Sequence, residues 1–338
     1  MAHLFGPEDL SKSRLVFWTM LSIFQGHQNQ KSECKLNQSL LKRSTLLPAL
    51  LCAGLVFYAT WVPLPTEKTP FHLYSTDKRD DLKKTLLSAL KRAKHSITLH
   101  TYALTDQAVL SLLKKKGEKG MLVHLYYHKK ASPELETLEW KNVHFHPIKG
   151  RGLMHEKIWI IDQKTLFLGS ANLTTSSLKM HDNLMVGLYA PALAEALSQK
   201  RVEERVLEVG GRSLHYFSLP SQKGLEALLE ALDQGEREVS AALFTFTHPL
   251  LVKKLIELHE RGVKVSLTLD RTTSHGASKK ALEALEEAGI RVKISSGLQL
   301  CHHKWAQIDQ KILIIGSANW TAAAFEKNRD FILIIKMK

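Results

Sequence analysis

Apolar residues recur at helical spacing over residues 82–94 and 106–116, and residues 96–102 and 121–127 read as strands. The same plan returns later in the chain. Helical spacing marks 224–233, 249–261 and 278–288, and the strands 239–246 and 263–269 lie between them. Gly120 and Gly262 each stand just before a strand, where a helix C-cap belongs. Alternating helix and strand predicts an α/β fold of two similar lobes, each a mixed sheet flanked by helices, with largely parallel pairing. Between the halves, residues 191–209 read as a connecting helix that stops at Gly210-Gly211. The expected organisation is an internal duplication, with lobe 1 over 72–190, a connection over 191–215 and lobe 2 over 216–338.

Ahead of the duplication the pattern changes. No residue from 44 to 66 is charged, and the apolar heart runs from 46 to 62. A helix needs ~20 residues to cross a bilayer, so 44–63 is expected to be a transmembrane helix or signal anchor. Lys42 and Arg43 abut its start, Glu67 and Lys68 follow its end, and Tyr58 and Trp61 suit an interfacial belt. The positive-inside bias puts residues 1–43 in the cytoplasm and the catalytic part on the other side. Secretion after cleavage of a signal peptide starting at Met20 is one alternative, and a buried soluble helix is another.

The chain has 338 residues, 44% apolar and 24% charged, which excludes wholesale disorder and collagen-like repeats. Its 47 Lys and Arg against 33 Asp and Glu leave a formal charge of +14, favouring phosphate groups, nucleic acid or acidic lipid surfaces as partners. Three cysteines, Cys34, Cys52 and Cys301, exclude a disulfide framework and an all-cysteine zinc site.

The duplication carries chemistry. His155, Lys157, Asp162, Gly169, Ser170 and Asn172 recur as His302, Lys304, Asp309, Gly316, Ser317 and Asn319, every pair at the same step of 147 residues. Six fixed positions would match by chance roughly once in tens of millions of starting points, so two matches at constant step are not accident. Residues two apart on a strand share a face, which places each histidine beside its lysine. Gly169 and Gly316 would let the backbone approach a ligand, and the serines and asparagines supply hydrogen-bonding groups near a helix start. A single half lacks a second histidine to act as acid, and two facing halves supply it.

The pattern H-x-K-x4-D-x6-G-S-x-N, present twice, resembles the phospholipase D superfamily, in which two such motifs share one active site. The resemblance spans residues 72–338. Residues 262–335, including Asn319-Trp320-Thr321, are also similar to the compact single-motif branch that contains bacterial endonucleases and mitochondrial phospholipase D-like proteins. It implies a phosphodiester substrate and no metal or other cofactor. His155 would be the nucleophile that forms a phosphohistidine, and His302 the acid and base. Lys157 and Lys304 would stabilise the non-bridging oxygens, with Ser170, Asn172, Ser317 and Asn319 binding phosphate. An acidic residue after the motif holds the histidine. Asp330 fits, and its counterpart is Asp182, or Asn183 if the spacing is kept strictly. Asp162 and Asp309 sit at strand ends, where they would fix a turn.

Other residues read more plainly. His303 points away from the His302 face, Cys301 is a packed residue, and Lys114–Lys116 with Lys119 form a solvated helix end. His144 and His146 share a face and could ligate a metal with His128. Trp159 falls on the histidine face by strand counting. Three functions follow: hydrolysis or transfer of phospholipid head groups at a membrane, cleavage of nucleic acid, or a membrane-anchored binding scaffold without turnover. With both motifs in one chain, no protein partner is obligatory.

Overall fold

A computed structural model of the chain describes residues 62–199 and 202–337, together with Pro48. The expected membrane segment at 44–63 and the stretch before it lie almost wholly outside the described residues. Among those described, no helix is long and apolar enough to cross a membrane.

Two sheets carry the fold. The first has seven strands: β1 (Phe71–Ser75), β2 (Ser96–Thr101), β3 (Leu122–His128), β4 (Val143–Ile148), β5 (Ile158–Ile161), β6 (Thr165–Gly169) and β7 (Leu184–Tyr189), in the spatial order β1-β7-β6-β5-β2-β3-β4. The second has eight: β8 (Glu204–Val209), β9 (Arg212–Leu219), β10 (Glu238–Leu243), β11 (Lys264–Leu269), β12 (Val292–Ile294), β13 (Lys304–Ile308), β14 (Ile312–Gly316) and β15 (Asp330–Lys336), ordered β12-β11-β10-β13-β14-β15-β9-β8. Both sheets are mixed. Only β2-β3-β4 and β10-β11-β12 are parallel, and the strands carrying the motifs pair antiparallel. The largely parallel expectation therefore fails. The segments after each lysine are tight hairpins rather than helix-linked crossovers, and a hairpin pairs its strands antiparallel.

The helices form where the apolar period predicts them, and polar caps set their ends. In α1 (Leu82–Arg92) the buried residues are Leu82, Thr85, Leu86, Ala89 and Leu90, and Asp81 caps the start by accepting Lys84 N–H at 2.9 Å. Asp106 caps α2 (Gln107–Glu118) and also pairs with Lys83 at 2.7 Å. Then come α3 (Thr175–Lys179), α4 (Pro191–Ser198), α5 (Gln222–Asp233), α6 (Pro249–Glu260), α7 (Arg271–Ser274), α8 (Lys279–Glu287) and α9 (Ala322–Glu326). Gly120 and Gly262 follow α2 and α6 at φ +90° and +86°, a conformation that admits glycine most readily.

The predicted helix over 191–209 is corrected. The helix ends at Ser198, and 204–209 is β8, joined to β9 through Gly210 and Gly211 at φ +58° and +71°. Two consecutive residues of positive φ make the turn of a β-hairpin, so Gly-Gly marks a hairpin here and not a helix stop.

Each lobe has its own core of helix against sheet. A further set of buried residues belongs to neither: Ile158, Ile160, Leu166 and Leu168 on one sheet, Leu313, Ile315, Leu333 and Ile335 on the other. They alternate with the core residues along each strand and so line the opposite sheet face, where β6 and β14 touch. Residues 63–338 thus form one compact unit held by three apolar layers.

Candidate active site

Both motif hairpins are locked in one way. Asp162-Gln163 and Asp309-Gln310 occupy the turns β5–β6 and β13–β14 with positive φ at all four residues. The Asp162 carboxylate accepts N–H groups of Lys94, His95 and Ser96 at 2.7–3.1 Å. That of Asp309 accepts those of Glu236, Arg237 and Glu238 at 2.8–2.9 Å. Burial pushes both carboxyls up, but the three donors outweigh it and hold them below the ordinary value. Each hairpin is thereby fixed to the strand beside it, β2 or β10, and the lysine leading into it is fixed too.

Gly169 and Gly316 end the hairpins against a neighbouring strand. A Cβ at either would stand 2.2 Å from Leu184 O or 2.4 Å from Phe331 O. The close approach that needs glycine is therefore to β7 and β15, not to a ligand as the sequence suggests.

Beside the apolar layer between the sheets, the two lobes meet along two short backbone seams. Arg329 N–H donates to Leu153 O and His155 N–H to Arg329 O, both at 2.8 Å, and Asp182 N–H donates to Leu300 O at 2.9 Å. Asp182 and Cys301 form the second bridge between lobes. Each seam runs directly into a motif histidine.

This arrangement crosses the orienting residues. His155 Nδ1 lies 2.8 Å from Asp330 Oδ1, and His302 Nδ1 lies 3.1 Å from Asn183 Oδ1. Each ring is therefore held by the other lobe. The expectation that Asp182 orients a histidine is corrected, because Asn183 stands in that place. Asp182 instead faces Asp77 and His303, and its carboxyl is pushed up to about 6 by burial and by Asp77. His303 Nε2 pairs with Asp77 at 2.9 Å on the far side of the strand from His302.

Tautomers follow from the acceptors. Asn183 Nδ2 donates to Ser177 O at 2.8 Å, so its Oδ1 is the atom facing His302. Asp330 is ionised: burial pushes it up, but His155, Lys157 and Ser317 hold it below the ordinary range. Both histidines must then donate from Nδ1, which leaves Nε2 of each neutral ring with its lone pair free. Burial, with the nearby lysines, lowers the pKa of His155 to about 4 and takes His302 well below its usual value.

The serines are engaged behind the histidines. Ser170 Oγ donates to Asn183 Oδ1 at 2.8 Å and accepts Leu184 N–H at 3.1 Å. Ser317 Oγ donates to Asp330 Oδ1 at 2.6 Å and accepts Phe331 N–H at 3.1 Å. A hydroxyl has one proton to give, so the expected phosphate-binding role of Ser170 and Ser317 is corrected to holding the orienting residues. The side chains of Asn172 and Asn319 remain uncommitted, each with a buried, unpartnered Oδ1.

Lys157 and Lys304 are 0% and 2% exposed, and neither has a carboxylate within ion-pair distance among the described residues. Each ammonium donates to the carbonyl of its own histidine, at 3.0 Å for Lys304. Each also lies over an aromatic ring that ends the adjacent strand, Tyr102 at 5.8 Å and Phe244 at 5.0 Å. Those rings pack against His155 and His302 at 5.7 and 4.9 Å. Sequence reasoning missed both rings; their signal was an aromatic residue at each strand's C-terminal end. Burial lowers Lys157 to about 7 and Lys304 well below its usual value. With a bound anion restoring both ammoniums, they and the Asp330 carboxylate leave one surplus positive charge, which matches a phosphodiester monoanion.

The remaining expected residues lie apart. Among the described residues no group of three or more side chains is arranged to hold a metal. His128 stacks on Tyr102, while His144 and His146 stack on His124. Burial pushes the Cys301 thiol up to about 12, so it is a packed, unreactive group. Trp159 is in the lobe 1 core, and Lys116 closes the end of α1 by donating to Lys91 O and Ala93 O.

The family described as "Cardiolipin synthase, PLD-like domain" matches residues 86–202 and 228–338, most of the chain. The chain belongs to the phospholipase D-like family. Among curated relatives it is 38% identical over 120 residues to mitochondrial cardiolipin hydrolase of Mus musculus, covering 35% of this chain and 54% of that protein. It is 34% identical over 105 residues to a phospholipase D of Rickettsia conorii, covering 31% and 52%. The chain thus spans about half the length of the curated relatives it matches. Phosphatidylserine synthase of Haemophilus influenzae shares the fold at TM-score 0.64 and 14% identity, over 81% of this chain and 83% of that one.

Proposed function

We propose that the chain is a phosphodiesterase acting on phospholipid head groups, by hydrolysis or transfer, through a phosphohistidine. The observation that carries this reading is the paired site: two neutral imidazoles with Nε2 unprotonated, each beside a buried lysine that has no carboxylate within ion-pair distance among the described residues. His155 Nε2 attacks phosphorus, the P–N bond forms and the P–O bond to the leaving alcohol breaks. His302, protonated once the anion is bound, gives its proton to that alcohol. It then takes a proton from water, or from an acceptor alcohol, whose oxygen displaces His155. Lys157 and Lys304 balance charge on the non-bridging oxygens, and Asn172 and Asn319 turn their amides to donate to them.

His155 is assigned the covalent step because Asp330 is charged. An N-phosphorylated ring carries positive charge, and a carboxylate at Nδ1 stabilises it better than the amide of Asn183 does. The names of the relatives motivate phospholipid as the substrate class, and the uncharged stretch 44–66 motivates a membrane-anchored chain with the site on the non-cytoplasmic side. The test is to assay the full chain, His155→Ala and His302→Ala on cardiolipin and phosphatidylglycerol vesicles and on single-stranded DNA and RNA. Lipid turnover by the full chain that falls by about a thousandfold or more in each variant supports the proposal. Cleavage of nucleic acid without lipid turnover contradicts it.

A further inference from the structure

Each seam beside the paired site is entered by a surface segment, or lip; the duplication relates the two lips, and their chemistry differs. Residues 149–153 lead into the seam before His155, and residues 296–300 lead into the seam before His302. At the 147-residue step, Arg151 corresponds to Leu298 and Lys327 to Met180. Leu298 is 98% exposed, the most exposed large apolar residue among those described, and Met180 is 63% exposed. Both belong to one lip, because residue 182 pairs with 300 and 301. The other lip presents Lys149, Arg151, Lys327 and Arg329, all exposed, with the half-exposed Leu153 at its inner edge.

A single exposed leucine is ordinary, but Leu298 and Met180 stand exposed on the same lip, each two residues from a seam beside the paired site, and together they point to a ligand outside the chain. We propose that the surface formed by the two lips docks on a phospholipid bilayer bearing anionic head groups. Leu298 and Met180 enter the acyl layer, and Lys149, Arg151, Lys327 and Arg329 meet head-group phosphates. A groove that follows a nucleic-acid backbone needs cations along its length, whereas here one lip is apolar at its most exposed points. This inference rests on the phospholipid reading and adds how the site reaches its substrate: the diester enters between an inserted lip and an electrostatic one.

The experiment compares the full chain with Leu298→Asp on two substrates, cardiolipin-containing vesicles and the water-soluble diester bis(p-nitrophenyl) phosphate. Docking predicts that vesicle turnover falls about tenfold or more while soluble-diester turnover is unchanged, since a buried leucine contributes at least that factor. Equal rates on vesicles, or equal losses on both substrates, would overturn docking. Soluble turnover without vesicle turnover in the unmodified chain would instead overturn the phospholipid reading. A local probe completes the test. Leu298→Trp should gain emission that anionic vesicles shift to the blue and brominated lipid quenches. Leu122→Trp, at the start of β3 and so at the end of that strand remote from His128, should not. Absence of quenching at position 298 would equally overturn docking.

Discussion

At His155 and His302 the same ring, buried to the same degree, meets two different acceptors. Asp330 brings a charge to one and Asn183 only a dipole to the other. The lysines are the other departure from ordinary protein interiors, because each is buried with no carboxylate within ion-pair distance among the described residues. Lys157, held at about 7 by burial, binds its proton less tightly folded than unfolded. The folded state is therefore penalised below the usual lysine value near 10, most fully by about pH 7, and the penalty fades as pH rises between them. Lys157→Met should accordingly raise stability at pH 7 by about 2 kcal/mol while removing activity, and the gain should shrink as pH rises from about 7 and be gone by about pH 10. Denaturant melts at the two pH values check this; a less stable variant at pH 7 would show that the ammonium is satisfied without substrate. The histidines and lysines were legible from their repeat spacing. Asn183 was legible as the strict-spacing alternative to Asp182, but the serines' role and the crossing of the orienting residues were not, because they depend on which lobe faces which ring, and a motif within one lobe does not encode that.

The hairpin with its carboxylate is the element that places the chemistry. Asp309 is 3% exposed and accepts from three successive backbone donors. Asp309→Ala should cost about 3 kcal/mol, since three charge-assisted bonds from part-buried N–H groups are lost together. Chemical denaturation measures this, and a change under about 0.5 kcal/mol would mean that the turn holds without it. Element types were largely readable. Leu82, Leu86 and Leu90 mark a helix by their spacing, and Gly120 and Gly262 mark helix ends. Residues 204–209 were misread because Gly210-Gly211 serves either as a helix stop or as a hairpin turn. Only the pairing partner β9 decides between them. The turn at 162–164 and the return of 166–168 beside 158–161 were readable, whereas the antiparallel pairing of β2 and β10 with the motif strands was not.

At the scale of the whole molecule, function and fold join at the two seams. Asp330 of lobe 2 holds the ring of lobe 1, and Asn183 of lobe 1 holds the ring of lobe 2, so one chain completes one site. Mixing His155→Ala with His302→Ala should therefore restore no turnover. Recovery of a sizeable fraction of activity would show that lobes exchange between chains. The duplication itself was plain in the constant 147-residue step, but the way its copies face one another was not. The buried row of Ile158, Ile160, Leu313 and Ile315 could equally have packed against helices.

Covalent trapping tests the central claim most directly. With a phosphodiester labelled at phosphorus and carrying an activated leaving group, His302→Ala should accumulate one acid-labile phosphate per chain, located on His155 by peptide mapping. His155→Ala should take up none. Label on another residue, or equal labelling of both variants, would contradict the account.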